Sequence, residues 1–315
     1  MADLADRGQI ILIAAFALAV TFIALALVVN AAIFTENLAS RGETAGSDDA
    51  LLVRHGVEQS VERAVVQANT YNASSESDLR DSVDANLRNV SQSVARQQSV
   101  SGRLVTVSDP SYTQGTQIVD NASGGSNFTS ALPTDNWTVA TDANARAYTM
   151  TVYDANNAGG ANFGAPKTDE FRLNVTNGTY TWRVNVTEQA SGDVAVGVKE
   201  FGGESGVCTV APTGGTVEID LTDGRVGGEP CAPLDFPRPT SGGYDIEYNN
   251  SQLIRGNYSM VIDRNGYSNL NFFSLFGTDN PVTLHGIYAV DVTYRYDGAS
   301  IAYNTTVRAA PGEPA

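Results

Sequence analysis

The sequence predicts an α+β protein: an N-terminal transmembrane helix, an amphipathic helical segment, then a large antiparallel, sandwich-like β domain outside the cell. Three observations predict it. An uncharged apolar run extends from Gly8 to Thr35, apolar residues recur at helical spacing between residues 50 and 94, and from Gly102 onward a period of 2 is punctuated by Gly, Asn, Asp and Pro. The expected division is a tail over 1–8, the apolar helix over 9–35, a helical stalk or hairpin over 36–100, and β structure over 101–315. The β part is read as one unit, or as two subdomains meeting around 202–243.

The apolar run has 28 residues, about 42 Å as a helix, against the roughly 30 Å of a bilayer's hydrocarbon core. Ala15 and Ala19 within it have the small-xxx-small spacing that lets helices approach closely. In the polar stretch that follows, Gly42, Gly46 and Ser47 can bend or interrupt a helix. From Ala50 to Asn69 the positions Leu51, Val57, Val61, Ala64, Val65 and Ala68 form one helical stripe. Ser75 or Ser77 can cap a second helix, striped by Leu79, Val83, Leu87, Val90 and Val94. The two close as an αα-hairpin or stack as a stalk.

Candidate strands are Arg103 to Ser108, Thr116 to Asp120, Trp137 to Thr141, Ala145 to Asp154, Glu170 to Val175 and Thr179 to Glu188. Six more are Asp193 to Lys199, Thr216 to Leu221, Tyr244 to Tyr248, Leu253 to Asp263, Ile287 to Tyr296 and Ser300 to Ala309. Thr176-Asn177-Gly178 and Asp297-Gly298 read as hairpin turns. The segment from Gly202 to Gly243, rich in Gly and Pro, reads as a long loop or an inter-subdomain linker.

The net charge of -16 comes from 35 acidic and 19 basic residues, which excludes nucleic acid as a favoured partner because phosphate would be repelled. A Lys-poor, acid-rich surface of this kind resembles that of proteins from salt-loving archaea. Cys208 and Cys231 match no zinc spacing; they form one disulfide in an oxidising compartment or remain two thiols. Asn-x-Ser/Thr sequons fall at Asn72, Asn89, Asn121, Asn127, Asn136, Asn174, Asn177, Asn185, Asn249, Asn257 and Asn304. All lie beyond the apolar run, which predicts a tail inside the cell membrane and a glycosylated C-terminal mass outside it, unless Asn and Thr simply crowd turns and strands.

No phosphate loop, HExxH, CxxC pair or GxSxG elbow occurs, so no enzyme activity and no cofactor or metal is expected. His55 and His285 are isolated; Gly203-Glu204-Ser205-Gly206 and Asp220-Leu221-Thr222-Asp223-Gly224 read as turns. Tyr288, Tyr294, Tyr296 and Tyr303 form either an adhesive surface or one half-buried sheet face.

Asp6-Arg7-Gly8-Gln9, a basic and a small residue directly before Ile10 and the apolar run, resembles the class III signal peptide of archaeal type IV pilins and archaellins. The resemblance covers about the first 30 residues. It implies cleavage between Gly8 and Gln9, with the retained helix anchored in membrane lipid or packed against like subunits in a filament core. The chain is long for a major pilin, which favours a minor, tip or assembly-associated component. The function expected is that of a pilin-like, single-pass surface glycoprotein displaying a β-rich ectodomain. The alternative is an uncleaved, signal-anchored adhesin or ligand-binding protein.

Overall fold

The apolar run opens a single α-helix, α1 (Ala2–Tyr71), of 70 residues and about 105 Å. The structure is a computed structural model that describes residues 2–120, 126–132, 134–154, 170–200, 205–273, 281–299 and 301–313, with α1 side chains described at 18, 20–23, 25–30 and from 47 onward. Gly42, Gly46 and Ser47, which can bend or interrupt a helix, do not interrupt α1, which passes through all three. A helical glycine costs only about 1 kcal/mol, and the first proline of the chain is Pro110, so every earlier residue keeps the N–H a helix needs.

A short turn leads to α2 (Glu76–Ser99). The Ser75 hydroxyl caps it by accepting the Asp78 N–H at 3.1 Å, and Glu76 and Asp78 sit at its positive end. Fifteen strands follow among the described residues: β1 (Leu104–Asp120), β2 (Ser126–Asn127), β3 (Trp137–Ala143), β4 (Ala145–Asp154), β5 (Phe171–Thr176), β6 (Thr181–Glu188), β7 (Val194–Glu200), β8 (Ser205–Val210), β9 (Val217–Asp220), β10 (Arg225–Val226), β11 (Glu229–Pro230), β12 (Tyr244–Asn249), β13 (Arg255–Ile262), β14 (Val282–Asp297) and β15 (Ala302–Ala309). They make two antiparallel sheets. The larger has the order β11-β10-β9-β4-β13-β1-β14-β15 with β2 beside β13, and the smaller β3-β12-β5-β6-β7-β8.

Two large cores result, with a third, small cluster of Val261, Tyr288, Ala289 and Ala310. Between the sheets lie Leu173, Val175, Trp182 and Val184 of the smaller sheet and Met150, Ile219, Met260 and Ile262 of the larger. Phe128, Phe171, Trp137, Tyr248 and Tyr258 close this core through edge and stacked ring contacts. The second core lies on the opposite side of the structure, where Val57, Val61, Val65 and Ala68 of α1 and Leu79, Val83 and Leu87 of α2 pack on Val105, Val107, Val292, Tyr294, Tyr296 and Val307.

The two expected strands Arg103 to Ser108 and Thr116 to Asp120 are one strand, β1. Its register with β14 shifts between Ser108 and Ser111, where Asp109 takes φ 53° ahead of Pro110, and again between Thr113 and Gln114, and the pairing continues to Val119. One end of β1 therefore supplies Val105 and Val107 to the helix-side core and the other supplies Ile118 to the inter-sheet core. Both expected hairpin turns are present, closed by the Asn177 N–H to Tyr180 carbonyl bond at 3.1 Å and the Gly298 N–H to Ile301 carbonyl bond at 2.8 Å. The expected strand Thr216 to Leu221 is present as β9, and the segment over 202–243, expected otherwise as a loop or linker, also holds β8, β10 and β11.

Two expectations are corrected. The chain is mostly β rather than α+β, because two helices cover only one end of a fifteen-stranded body. Among the described residues, no helix is long and apolar enough to cross a membrane. The transmembrane helix expected over 9–35, its signal-anchor role and the single-pass location with the N-terminus inside and the β domain outside are not upheld. Residues 9–35 are the opening of a much longer helix that continues through a polar stretch and docks on the sheet.

Leu79 is fully buried where α2 meets α1 and the sheet. Leu79→Ala should lower stability by about 2–5 kcal/mol in denaturant unfolding, with loss confined to less than 1 kcal/mol if this helix-side core were solvated.

Candidate assembly site

α1 carries two kinds of surface along one rod. In the docked half, Ala50, Val57, Val61, Val65 and Ala68 are buried on one stripe. In the outer half, Leu18, Phe22, Ile23, Leu25, Leu27 and Val28 are exposed, Leu27 and Val28 each at 66%. At 3.6 residues per turn these six point to every side of the helix. A helix apolar all round is stable in water only when other apolar surface surrounds it. Gly8 and Gln9 lie within the first turns of this same helix.

Polar bonds fix the rod to the body where it docks. The Tyr294 hydroxyl donates to the Ala50 carbonyl at 3.0 Å, the Tyr296 hydroxyl donates to Asp49 at 2.9 Å, and Arg103 pairs with Asp49 at 2.6 Å. Further along, the Asn69 side chain bridges the Ile287 backbone in both directions, at 2.9 and 3.0 Å. The Tyr112 hydroxyl donates to Asp84 of α2 at 2.5 Å. Burial, with Tyr296 and Asp49 nearby, pushes the Tyr294 hydroxyl up to about 12, so it stays a donor. Of the C-terminal tyrosines, Tyr294 and Tyr296 are buried in the helix-side core with Tyr303 packed against it, whereas Tyr288 is buried in a separate cluster with Val261, Ala289 and Ala310, so they form no exposed adhesive surface.

An open groove of about 830 Å³ runs between α1 and the larger sheet, with Glu62, Asp220, Asp223 and Glu313 on its walls. Burial and the neighbouring Glu58 raise the Glu62 carboxyl; burial and Asp220 raise that of Asp223. The Asp220 carboxylate accepts the Thr222 hydroxyl at 3.1 Å and the Asp223 N–H at 2.9 Å, which makes this segment the turn its sequence predicts. Beside it the guanidinium of Arg146, 2% exposed, lies 3.9 Å from the Tyr288 ring centre and pairs with Glu313, tying down the end of the chain.

Cys208 of β8 and Cys231, just past β11, form a disulfide with Cα atoms 5.9 Å apart. It joins the edges of the two sheets, a role that spacing in the sequence does not reveal. His55, next to Glu58 at 3.7 Å, and His285 are both exposed and on different elements. Among the described residues, no group of three His, Cys, Asp or Glu is placed to hold a metal ion.

The sequons divide by environment. Asn89, Asn127, Asn136, Asn177 and Asn304 are exposed, and Asn72, Asn174, Asn185, Asn249 and Asn257 half-buried. Asn121 lies outside the described residues. Asn185 donates its amide to Glu170 at 2.6 Å, and Thr187 of the same sequon is fully buried.

Residues 4–158, just under half of the chain, match the family of unknown function DUF7261. The match spans α1, α2 and the first four strands, so it crosses from the rod into the body. No curated protein matches the chain. The crystal structure of Scytalido-glutamic peptidase with a peptide-based transition-state analogue is similar over 62% of this chain and 84% of its own, at 9% identity and a TM-score of 0.18. A likeness of that extent carries no argument about fold or activity.

Two predictions come from this region. Glu62 and Asp223 are harder to ionise in the folded chain than in the unfolded one, so their contribution to stability is greatest in acid and falls as pH rises through the interval between the unfolded and folded values. Glu62→Gln should therefore raise stability at neutral pH by less than about 1 kcal/mol, the groups being partly solvated, and flatten the pH profile of thermal unfolding. Replacing both cysteines with serine should cost about 3 kcal/mol in the same assay, for a loop of sequence separation 23.

Proposed function

We propose that this chain is a pilin-like structural subunit, which packs against like subunits through the outer half of α1 and displays the β body at the far end of the rod. One observation supports the reading above the rest: α1 exposes apolar side chains on every side over residues 18–29 while its other half is fastened to the body. A single partner surface covers one side of a helix. A bundle of like helices covers all of them, and the alanines interspersed in the run favour close approach of neighbours. The Arg7-Gly8-Gln9 entry adds the resemblance to class III processing, with Gly8 and Gln9 flanking the cut.

The role is structural display rather than catalysis. The test is assembly of the full chain followed by sedimentation and electron microscopy. The double substitution Ile23→Glu and Leu27→Glu should abolish assemblies by placing two carboxylates one turn apart on a face that neighbouring helices would have to bury, while the far-UV spectrum and melting of the β body stay unchanged. Assemblies that survive both substitutions would contradict the reading.

A further inference from the structure

The long sheet edges of this protein are protected in different ways, and one of them is bare. At the β3 edge, the Tyr267 hydroxyl accepts the Thr141 N–H at 3.1 Å and the Asn269 amide donates to the Thr138 carbonyl at 2.8 Å. The β8 edge carries the disulfide at Cys208, and Pro233 is packed so tightly on Gly206 that a Cβ there would meet it at 2.2 Å. At the opposite end of the larger sheet, β15 pairs with β14 from Ala302 to Ala309, and among the described residues no strand lies on its outer side.

β15 reads AYNTTVRA, without proline or lysine and with Arg308 its one charge. An eight-residue edge of this composition is a template for pairing with another chain. Tyr303, Val307 and Ala309 belong to the helix-side core, and Asn304, Thr306 and Arg308 are exposed. Asn304-Thr305-Thr306 is a sequon placed on that edge, and Asn304 is in register with Arg295, whose guanidinium is already held by Asp297 at 2.7 Å.

We propose that Asn304 carries an N-linked glycan and that this glycan shields the β15 edge from strand pairing between copies. The donor is a lipid phosphate-linked oligosaccharide. The Asn304 Nδ2 forms a bond to the anomeric carbon as the bond from that carbon to the phosphate oxygen breaks; the lipid phosphate leaves with the electron pair and the Nδ2 proton passes to a base of the transferase. The Nδ2 of Asn304 stands in solvent for this attack. That of Asn185 does not, being bound to Glu170 with Thr187 buried behind it, so Asn185 stays unmodified on the folded chain.

Glycopeptide mass spectrometry of the full chain from its native host should find a glycan mass on the Asn304 peptide and none on the Asn185 peptide. A bare Asn304 peptide, whether or not other sequons are modified, overturns the proposal. The shielding is tested in the Ile23→Glu, Leu27→Glu background, where association through the rod is removed independently. There Asn304→Gln and Thr306→Val should shift size-exclusion elution toward dimers and larger species. Thr306→Ser, which retains the sequon, should elute as its parent. Identical elution of all three overturns the shielding role without bearing on the rod.

Discussion

The docking of α1 and α2 on the β1, β14 and β15 end of the larger sheet is the constraint on which the rest depends. Val57, Val61, Val65 and Ala68 fit one stripe of α1 to a face built from Val105, Val292, Tyr294 and Val307. That contact fixes the docked end of a helix some 105 Å long, whose described side chains between residues 18 and 30 are exposed. Tyr294, Tyr296, Asp49 and Arg103 set the point at which rod and body part. Moving any of these groups would redirect the whole outer helix, because a continuous helix transmits the angle of its docked turns.

The β body answers a different demand. Its larger sheet is shared between two cores: the smaller sheet covers the strands from β9 to β1, and the helices cover β1, β14 and β15 on the other side. β1 and β14 are long because they serve both, and the register shift at Asp109-Pro110 is the local cost of that double duty. The disulfide between β8 and the segment after β11 joins the edges of the two sheets, beside short strands whose Val217, Ile219 and Val226 are buried in the inter-sheet core.

Much of this was legible in the sequence where one residue pattern has one physical meaning. The stripes of Val57 to Ala68 and Leu79 to Leu87, the Asn177-Gly178 and Asp297-Gly298 turns and the alternation of Phe171, Leu173 and Val175 all specify their elements locally. The continuity of α1 was not legible, because Gly42 and Gly46 permit a bend without requiring one. Nor were β8, β10 and β11, short strands whose pairing partners are distant in sequence or close only through a turn. The apolar run reads as a separate span because length and hydropathy describe a segment, whereas it belongs to one helix that docks on the sheet.

Of the candidate site, the sequence showed the apolar run and its Arg7-Gly8-Gln9 entry, whereas the exposure of that run on all sides required coordinates. The most direct measurement of the central claim is disulfide trapping at Ala26→Cys in the full chain. Like helices packed side by side would bring these thiols together, giving covalent dimers through residue 26 on mild oxidation, with Cys208–Cys231 retained. Exclusive recovery of uncrosslinked chains from concentrated, oxidised protein would contradict the account.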